Sequence, residues 1–188
     1  MGFSSLPPTA AWRHQGLRDG FEVVYFHPLD EGWRFKGCTT AVEDGQTWIV
    51  DYVITVDANW ATRRAHVRGR AKGQSETRML EADGKGRWTV DGVPAPELDG
   101  CLDVDLESSA VTNALPVHRL GLADGASAEA PAAYVRALDL GVTSLAQTYR
   151  ADGLGYDYRA PAFDFETRLS YDESGLVLDY PGIAVRAA

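Results

Sequence analysis

Short runs in which apolar and polar residues alternate are the feature of this sequence that most constrains its fold. The alternation is clearest at residues 48–57 and 163–172. Because successive side chains of a β-strand point to opposite faces, it predicts strands with one buried and one exposed face. The side chains expected to be largely buried are Trp48, Val50, Tyr52, Ile54, Val56, Phe163, Phe165 and Leu169.

Turn signals separate these runs. Asp-Gly and Ser-Gly pairs occur at residues 19–20, 44–45, 83–84, 91–92, 124–125, 152–153 and 174–175, and such pairs are typical of tight turns between antiparallel strands. Shorter alternating runs occupy residues 21–27, 33–42, 61–70, 115–122, 134–140 and 145–150. Helix is expected only as one or two turns within residues 127–134. The sequence therefore predicts an all-β, antiparallel protein.

Length and composition predict a single domain. A chain of 188 residues, 45% of them hydrophobic, can bury one core. We expect residues 1–188 to form one β domain, with residues 1–10 as a loose start. No stretch resembles a transmembrane segment or an export signal, so a soluble, cytoplasmic protein is expected. Cys38 and Cys101 are then expected to be free, buried thiols.

The charges argue against one class of partner and favour another. A net charge of −9 disfavours nucleic acid. Positive charge is nevertheless concentrated at residues 63–87, where Arg64, His66, Arg68 and Arg70 share one face of a predicted strand. Clustered guanidinium groups suit phosphate, sulfate or carboxylate. The alternative is a solvated face that pairs with acidic strands such as residues 164–166.

Residues 98–120 combine unusual polar side chains with strand and turn signals. Cys101, Asp103 and Asp105 alternate with leucine and valine, which predicts a strand with its polar side chains on one face. The residues that follow are typical of turns and of polar ligand sites, and we interpret the segment as strand, turn and second strand. They are Thr112, Asn113, Pro116, His118 and Arg119.

This segment resembles the signature of the bacterial "putative glycolipid-binding" family, which combines C-x-D-x-D-L with T-N-x-L-P and an Arg-Leu pair. The matching residues are Cys101, Asp103, Asp105, Leu106, Thr112, Asn113, Leu115, Pro116, Arg119 and Leu120. The similarity also covers Trp12, Gly16, Glu22, residues 52–63, Gly86, Trp88, Gln147, Tyr149 and residues 175–182. The chain departs from the family pattern at Ala110 and His118. The resemblance implies one antiparallel sheet curled into a spiral β-roll or open barrel.

Catalytic and metal-binding motifs are weak. The sequence has no nucleophile elbow, zinc-protease helix motif or phosphate-binding loop. The Asp103-Val-Asp105 pair resembles a metal-binding D-x-D motif, but no third ligand follows at suitable spacing, so no metal and no cofactor are expected. One open alternative is a hydrolase or transferase that uses Asp103 and Asp105 as acid and base on a sugar or acyl substrate.

The preferred hypothesis is a protein that binds an amphipathic small molecule, of the kind a glycolipid represents, without catalysis. Aromatic side chains would hold the apolar part on a concave surface, and polar groups would hold the headgroup. The candidate ligand-binding residues are Arg64, His66, Arg68, Asp103, Asp105, Asn113, His118, Arg119, Trp60, Tyr149 and Tyr158. A structural or interaction protein without ligand is the other alternative. The sequence leaves the ligand and the oligomeric state open.

Overall fold

The computed structural model describes residues 2–188, and strands account for 56% of the chain. In chain order they are β1 (Thr9–His14), β2 (Arg18–Leu29), β3 (Gly32–Glu43), β4 (Gln46–Val56), β5 (Thr62–Ala71), β6 (Gln74–Ala82), β7 (Trp88–Val90), β8 (Val93–Pro94), β9 (Asp103–Leu106), β10 (Ser127–Glu129), β11 (Ala132–Val135), β12 (Val142–Leu145), β13 (Thr148–Asp152), β14 (Gly155–Ala160), β15 (Phe165–Tyr171), β16 (Val177–Tyr180) and β17 (Ala184–Arg186). The α-helix α1 spans Ala114–Leu120, and short 3₁₀ turns lie at Pro96–Leu98, Val111–Asn113 and Pro161–Phe163.

Fourteen strands form one antiparallel sheet, in the order β10-β13-β14-β15-β16-β17-β1-β2-β3-β4-β5-β6-β7-β8. The sheet does not close on itself, so the prediction of a large, curled antiparallel sheet is confirmed. A second sheet has the order β12-β11-β9, and its β9–β11 pair is parallel. Side chains of the small sheet and of α1 share two apolar clusters with the inner face of the large sheet. The large sheet therefore curls around the small one.

The alternation at residues 48–56 predicts burial correctly. Trp48, Val50, Tyr52, Ile54 and Val56 are all buried, and so is Leu169 in β15. The side chains from residues 48–56 belong to the apolar cluster that includes the small sheet, and Leu169 belongs to a second cluster with Val117 of α1.

The prediction for the other long run was wrong at its start. Phe163 is 55% exposed and Phe165 is only partly buried. Phe163 belongs to a 3₁₀ turn, and Asp164 has a left-handed backbone with φ of 48°. The strand, and with it the regular alternation of faces, therefore begins only at Phe165.

Two local predictions of secondary structure were also wrong. Residues 115–122 are not a strand, because Ala114–Leu120 is helix α1. Pro116 lies in its first turn, where a missing N–H is tolerated, and Gly121 ends it with a φ of 51°. Residues 127–134 hold no helical turn. They contain β10 and β11, because neighbouring strands satisfy their backbone groups.

The start of the chain contacts the core. β1 begins at Thr9, the Ser4 N–H donates to the Glu173 carbonyl at 2.8 Å, and Leu6 packs against the larger apolar cluster. Of the segment predicted to be loose, Met1 lies outside the described residues.

Both cysteines are free, as predicted; Cys101 is buried and Cys38 is half-buried. Within residues 2–188, no helix is long and apolar enough to cross a bilayer.

Candidate functional site

The polar signature lies inside the molecule. Arg119 of α1 donates two hydrogen bonds to the carboxylate of Asp103 in β9: Nη2 is 2.7 Å from Oδ2, and Nε is 3.0 Å from Oδ1. Asp103 is 1% exposed, and the Arg119 side chain is 13% exposed. Burial raises the pKa of Asp103, and the guanidinium opposes that shift. A bidentate pair this deep ties the helix to the small sheet.

Asp105, two residues further along β9, has its own partners. Its Oδ1 accepts a hydrogen bond from the Thr112 hydroxyl at 2.9 Å, and its Oδ2 accepts one from Gln147 Nε2 at 2.5 Å. Burial raises the pKa of Asp105 to about 6, although both hydrogen bonds favour the ionised form. Asp103 and Asp105 therefore do not share an open cleft, and this geometry gives no support to an acid–base pair.

Asn113 is hydrogen-bonded to two tyrosines. Its Oδ1 accepts from the Tyr149 hydroxyl at 3.0 Å, and its backbone carbonyl accepts from the Tyr171 hydroxyl at 3.2 Å. Tyr149 and Tyr158 are both buried, with ring centroids 5.1 Å apart. The structure does not bring Asn113 into contact with the Asp103–Arg119 pair, so these predicted site residues form two interior groups.

A third interior group centres on Glu22, which is fully buried in β2. Its carboxylate accepts hydrogen bonds from the Tyr52 hydroxyl at 2.5 Å, from the Ser109 hydroxyl and from the Ala110 N–H at 2.7 Å. Gly37 makes this possible, because a Cβ there would lie 2.2 Å from Tyr52 Cζ. Burial raises the pKa of both Glu22 and Tyr52.

In the sequence, Glu22 stands out only as one of the residues that match the family pattern. The signal that could have found it is its position: Glu22 shares the face of β2 that carries Val24 and Phe26, and both of those are buried. An acidic residue at an apolar position of an alternating strand indicates a buried carboxylate with dedicated partners.

His118 closes one end of the curled sheet. Its ring stacks on Trp60 with centroids 3.6 Å apart and planes 11° apart. Its Nε2 lies 3.0 Å from the Ser174 carbonyl. Burial lowers the pKa of His118 to about 4, so the ring is neutral at pH 7 and the contact to Ser174 requires the proton on Nε2.

The predicted basic residues lie elsewhere, on the outer face of β5. Residues that face each other across β2, β3, β4 and β5 form four rows, and each row ends in one of these basic residues on β5. The rows are Phe21–Thr40–Ile49–Arg70, Val23–Cys38–Asp51–Arg68, Tyr25–Lys36–Val53–His66 and His27–Arg34–Thr55–Arg64. The surface thus changes from mainly apolar on β2 to cationic on β5.

The apolar side of this surface is open to solvent. Tyr25 is 53% exposed, Phe21 is 50% exposed and Val23 is 40% exposed. Together with Val53 and the β5 side chains, Tyr25 and Val23 line a groove of about 640 Å³. We call this surface the outer groove. Its full lining is Val23, Tyr25, His27, Lys36, Gly37, Cys38, Asp51, Tyr52, Val53, His66 and Arg68.

The basic side chains on the outer face of β5 are only partly paired with acidic ones. Arg70 pairs with Asp51 at 2.9 Å, and Arg64 approaches Glu81 at 3.8 Å. Arg68 and His66 form no ion pair with any of residues 2–188. Glu166, in the acidic strand considered as a partner, pairs with Arg159 of β14 instead. Burial, followed by Asp51, raises the pKa of the Cys38 thiol to about 11, so this thiol is neutral at pH 7.

No group of three or more His, Cys, Asp or Glu side chains that could hold a metal ion occurs within residues 2–188.

Comparison with known proteins identifies the family. The model of the family described as "Putative glycolipid-binding" matches residues 9–186. The chain belongs to this family. No curated protein matches it.

Two crystal structures are similar to the chain. One is a DUF1089 family protein from Pseudomonas aeruginosa, with 34% identity and a TM-score of 0.75 over 97% of this chain and 95% of that one. The other is a beta-barrel-like protein of the domain of unknown function DUF1849 from Brucella abortus. Its identity is 12% and its TM-score 0.57, over 98% of this chain and 96% of that one, so it supports the fold alone.

Proposed function

We propose that this protein binds an amphipathic small molecule of the glycolipid type in the outer groove, without transforming it. The observation that carries the proposal is the change, across the outer face of β2–β5, from exposed apolar side chains on β2 to basic side chains on β5, of which Arg68 has no ion pair among the described residues. The family description agrees with a ligand of this kind.

The β2 side of the outer groove would hold the apolar part of the ligand. Tyr25 and Val23 lie two residues apart on one face and stay exposed, whereas most large apolar side chains of the chain are buried. Contiguous exposed apolar surface in a water-exposed protein marks a site of interaction. The groove volume of about 640 Å³ is within the range of small-molecule sites.

The β5 side would hold the headgroup. Arg68 and His66 lie on the outer face and have no ion pair within the described part of the chain. Four adjacent strands span about 14 Å from β2 to β5, because neighbouring strands lie about 4.8 Å apart. A ligand with a short chain and a polar or anionic head fits that distance. Lys36, between the two sides, adds a further cation.

The remaining candidate residues take another role in this proposal. Asp103, Asp105, Asn113 and Arg119 bond to other side chains inside the molecule, so we assign them to the scaffold. Tyr149 and Tyr158, which belong to the apolar core, are assigned to the scaffold as well. The cytoplasm is the proposed compartment, because reducing compartments keep thiols free.

The first test is native mass spectrometry of the protein purified gently from its source organism, to detect a lipid-sized adduct. The second is titration with two probes, octyl sulfate and octyl glucoside. We expect Tyr25→Ser to weaken the binding of both about tenfold, or about 1.4 kcal/mol of lost apolar contact. Arg68→Gln should weaken the binding of octyl sulfate more than the binding of octyl glucoside.

The matched controls are Leu154→Ser and Arg159→Gln, which remove an exposed apolar side chain and an exposed cation outside the groove. They should bind both probes as the parent protein does. If neither probe binds, or if the groove and control variants behave alike, the proposal is wrong.

A second candidate function is an interaction protein without ligand. The same exposed apolar residues on β2, over an interior filled with side chains, favour it. It predicts no lipid adduct, and association that Tyr25→Ser abolishes in analytical ultracentrifugation.

A further inference from the structure

A second cavity lies at the end of the curled sheet, away from the outer groove. It has a volume of about 370 Å³ and shares no lining residue with the groove. Its lining combines the aromatic side chains Trp33, Trp60 and His118 with the chain start from Gly2 to Leu6. Both tryptophans are only partly buried, whereas the other three tryptophans of the chain belong to the core.

We propose that this cavity is a binding site for a neutral sugar ring. It is separate from the ligand site in the outer groove, and the two proposals stand or fall independently. The sugar would lie against the indole wall and direct its hydroxyl groups toward the chain start.

The chemistry of the walls selects a ligand that is both flat and rich in hydroxyl groups. Indole rings offer broad apolar faces to the C–H groups of a sugar. Ser4 and Ser5 also line the cavity; both are exposed, and their hydroxyls have no hydrogen-bond partner among residues 2–188. Those hydroxyls can both donate and accept, as the hydroxyl groups of a sugar require.

The absence of charge from these walls distinguishes the cavity from the outer groove. None of the described lining residues is Asp, Glu, Lys or Arg. Burial lowers the pKa of His118 to about 4, which keeps its ring neutral at pH 7. An ionic headgroup would therefore lack a counter-charge here, whereas a neutral sugar needs none.

The backbone holds the Trp60 ring in place. Trp60 has a φ of 66°, which is uncommon for a bulky side chain. Asp57 maintains this turn: its Oδ1 accepts from the N–H groups of Asn59 and Ala61, and its carbonyl accepts from the Trp60 N–H at 2.9 Å. Such conformations persist where the surrounding structure imposes them, and they cluster at ligand sites.

The stack with His118 orients the ring further. His118 covers one face of Trp60 at 3.6 Å, and Phe3 packs against His118 at 4.6 Å. The indole therefore has a defined orientation before any ligand arrives. A preorganised aromatic surface reduces the entropic cost of binding.

The test uses methyl β-glucoside, methyl β-galactoside and methyl α-mannoside, which carry no acyl chain. Saturation-transfer NMR should show ring-proton contacts for at least one of them, and tryptophan fluorescence should give a saturable change. Trp60→Asn removes the indole but keeps a residue that tolerates positive φ. It should weaken the binding of that sugar about tenfold.

Further variants separate binding from folding. The Ser4→Ala/Ser5→Ala double variant changes only exposed hydroxyls, so it should keep the parent melting temperature and weaken sugar binding. Tyr25→Ser, in the outer groove, should bind the sugar normally. The proposal is overturned if none of the three sugars binds. It is also overturned if a sugar binds the parent protein and the serine double variant equally.

Discussion

The interior signature at residues 101–120 and the outer groove on β2–β5 differ in how their polar groups are satisfied. In the signature, Arg119 holds both oxygens of Asp103, and Asp105 bonds to Thr112 and Gln147. In the outer groove, Arg68 forms no ion pair with any described residue, and Tyr25 stays exposed. The polar groups of the first region are paired inside the protein, whereas those of the second face solvent.

This difference explains why the buried region carries the more unusual sequence motif. A buried polar group without its partner costs several kcal/mol, about 3–5 for half of a buried ion pair, so the interior tolerates few alternatives at each position. A surface that binds through apolar contact and loosely placed cations uses common residue types. The most distinctive motif of this chain therefore belongs to the scaffold.

The largest expected effect tests the interior region. Arg119→Ala leaves the buried carboxylate of Asp103 without its partner, and we expect a loss of about 3–5 kcal/mol in the free energy of unfolding. Chemical denaturation measures it. Arg159→Ala removes an equally short ion pair whose side chains are exposed, and it should change the stability little. Equal losses in the two variants would contradict the division between interior and surface.

The next effect concerns the Glu22 group. Gly37→Ala would place a methyl group 2.2 Å from the Tyr52 ring and displace its hydroxyl from Glu22. We expect a loss of about 2–3 kcal/mol, as for other overpacked cores. Gly69→Ala is the control, because the atom nearest to its added Cβ is Cδ2 of Leu140 at 3.1 Å, a much milder contact than the 2.2 Å at Gly37. A melting temperature that ranks the two variants in reverse would rule out the close contact.

A smaller effect depends on pH. Burial raises the pKa of Asp105 to about 6, so between pH 4 and 6 the folded state binds more protons than the unfolded state. This group therefore stabilises the protein most at low pH, and that contribution is lost as the pH rises through 6. Asp105→Asn removes the titration.

We expect the stability advantage of the parent protein over Asp105→Asn to shrink by about 1–2 kcal/mol from pH 4 to 7. The full shift would give about 3 kcal/mol at about 1.4 per unit, and the partial exposure of Asp105 reduces it. Denaturation curves of both proteins across this range measure the change. An advantage that grows with pH would show that the carboxylate is held ionised.

The smallest expected effect on stability concerns the outer groove. Tyr25→Ser removes an aromatic side chain that is 53% exposed, so we expect the free energy of unfolding to change by less than about 0.5 kcal/mol. The same variant is expected to bind octyl sulfate and octyl glucoside about tenfold more weakly. A large loss of stability would mean that the outer groove belongs to the scaffold as well.

Much of the fold could be predicted from local pattern. The alternation identified the long strands β2 to β5, the shorter strands β9, β13 and β15, and the buried face of residues 48–56. It did not identify strands such as β1, β6 and β14, but the scarcity of helix was predicted correctly. The errors fell where pattern is ambiguous. The run at 115–122 has the alternation of a strand, yet Ala114–Leu120 is α1, because Pro116 and Gly121 suit the two ends of a helix.

The candidate sites could be predicted only in part. The shared face of Arg64, His66 and Arg68 follows from strand periodicity alone. The apolar side of the outer groove, on β2, could not be foreseen, because the pattern of Phe21, Val23 and Tyr25 is that of a second buried face. The aromatic cavity was also out of reach, since Trp33, Trp60 and His118 are far apart in sequence and meet only at the end of the curl.

The sequence by itself determined which side chains share a face of each strand, because that relation depends only on the two-residue period of extended backbone. The tertiary structure alone decided which faces are covered. The small sheet lies inside the curl of the large one, so β9 has protein on both sides and its two aspartates become interior groups. No small sheet covers the outer face of β2–β5, so side chains such as Tyr25 remain exposed to solvent there. That assignment depends on contacts between distant residues, such as Glu22 with Ser109, and local pattern carries no information about them.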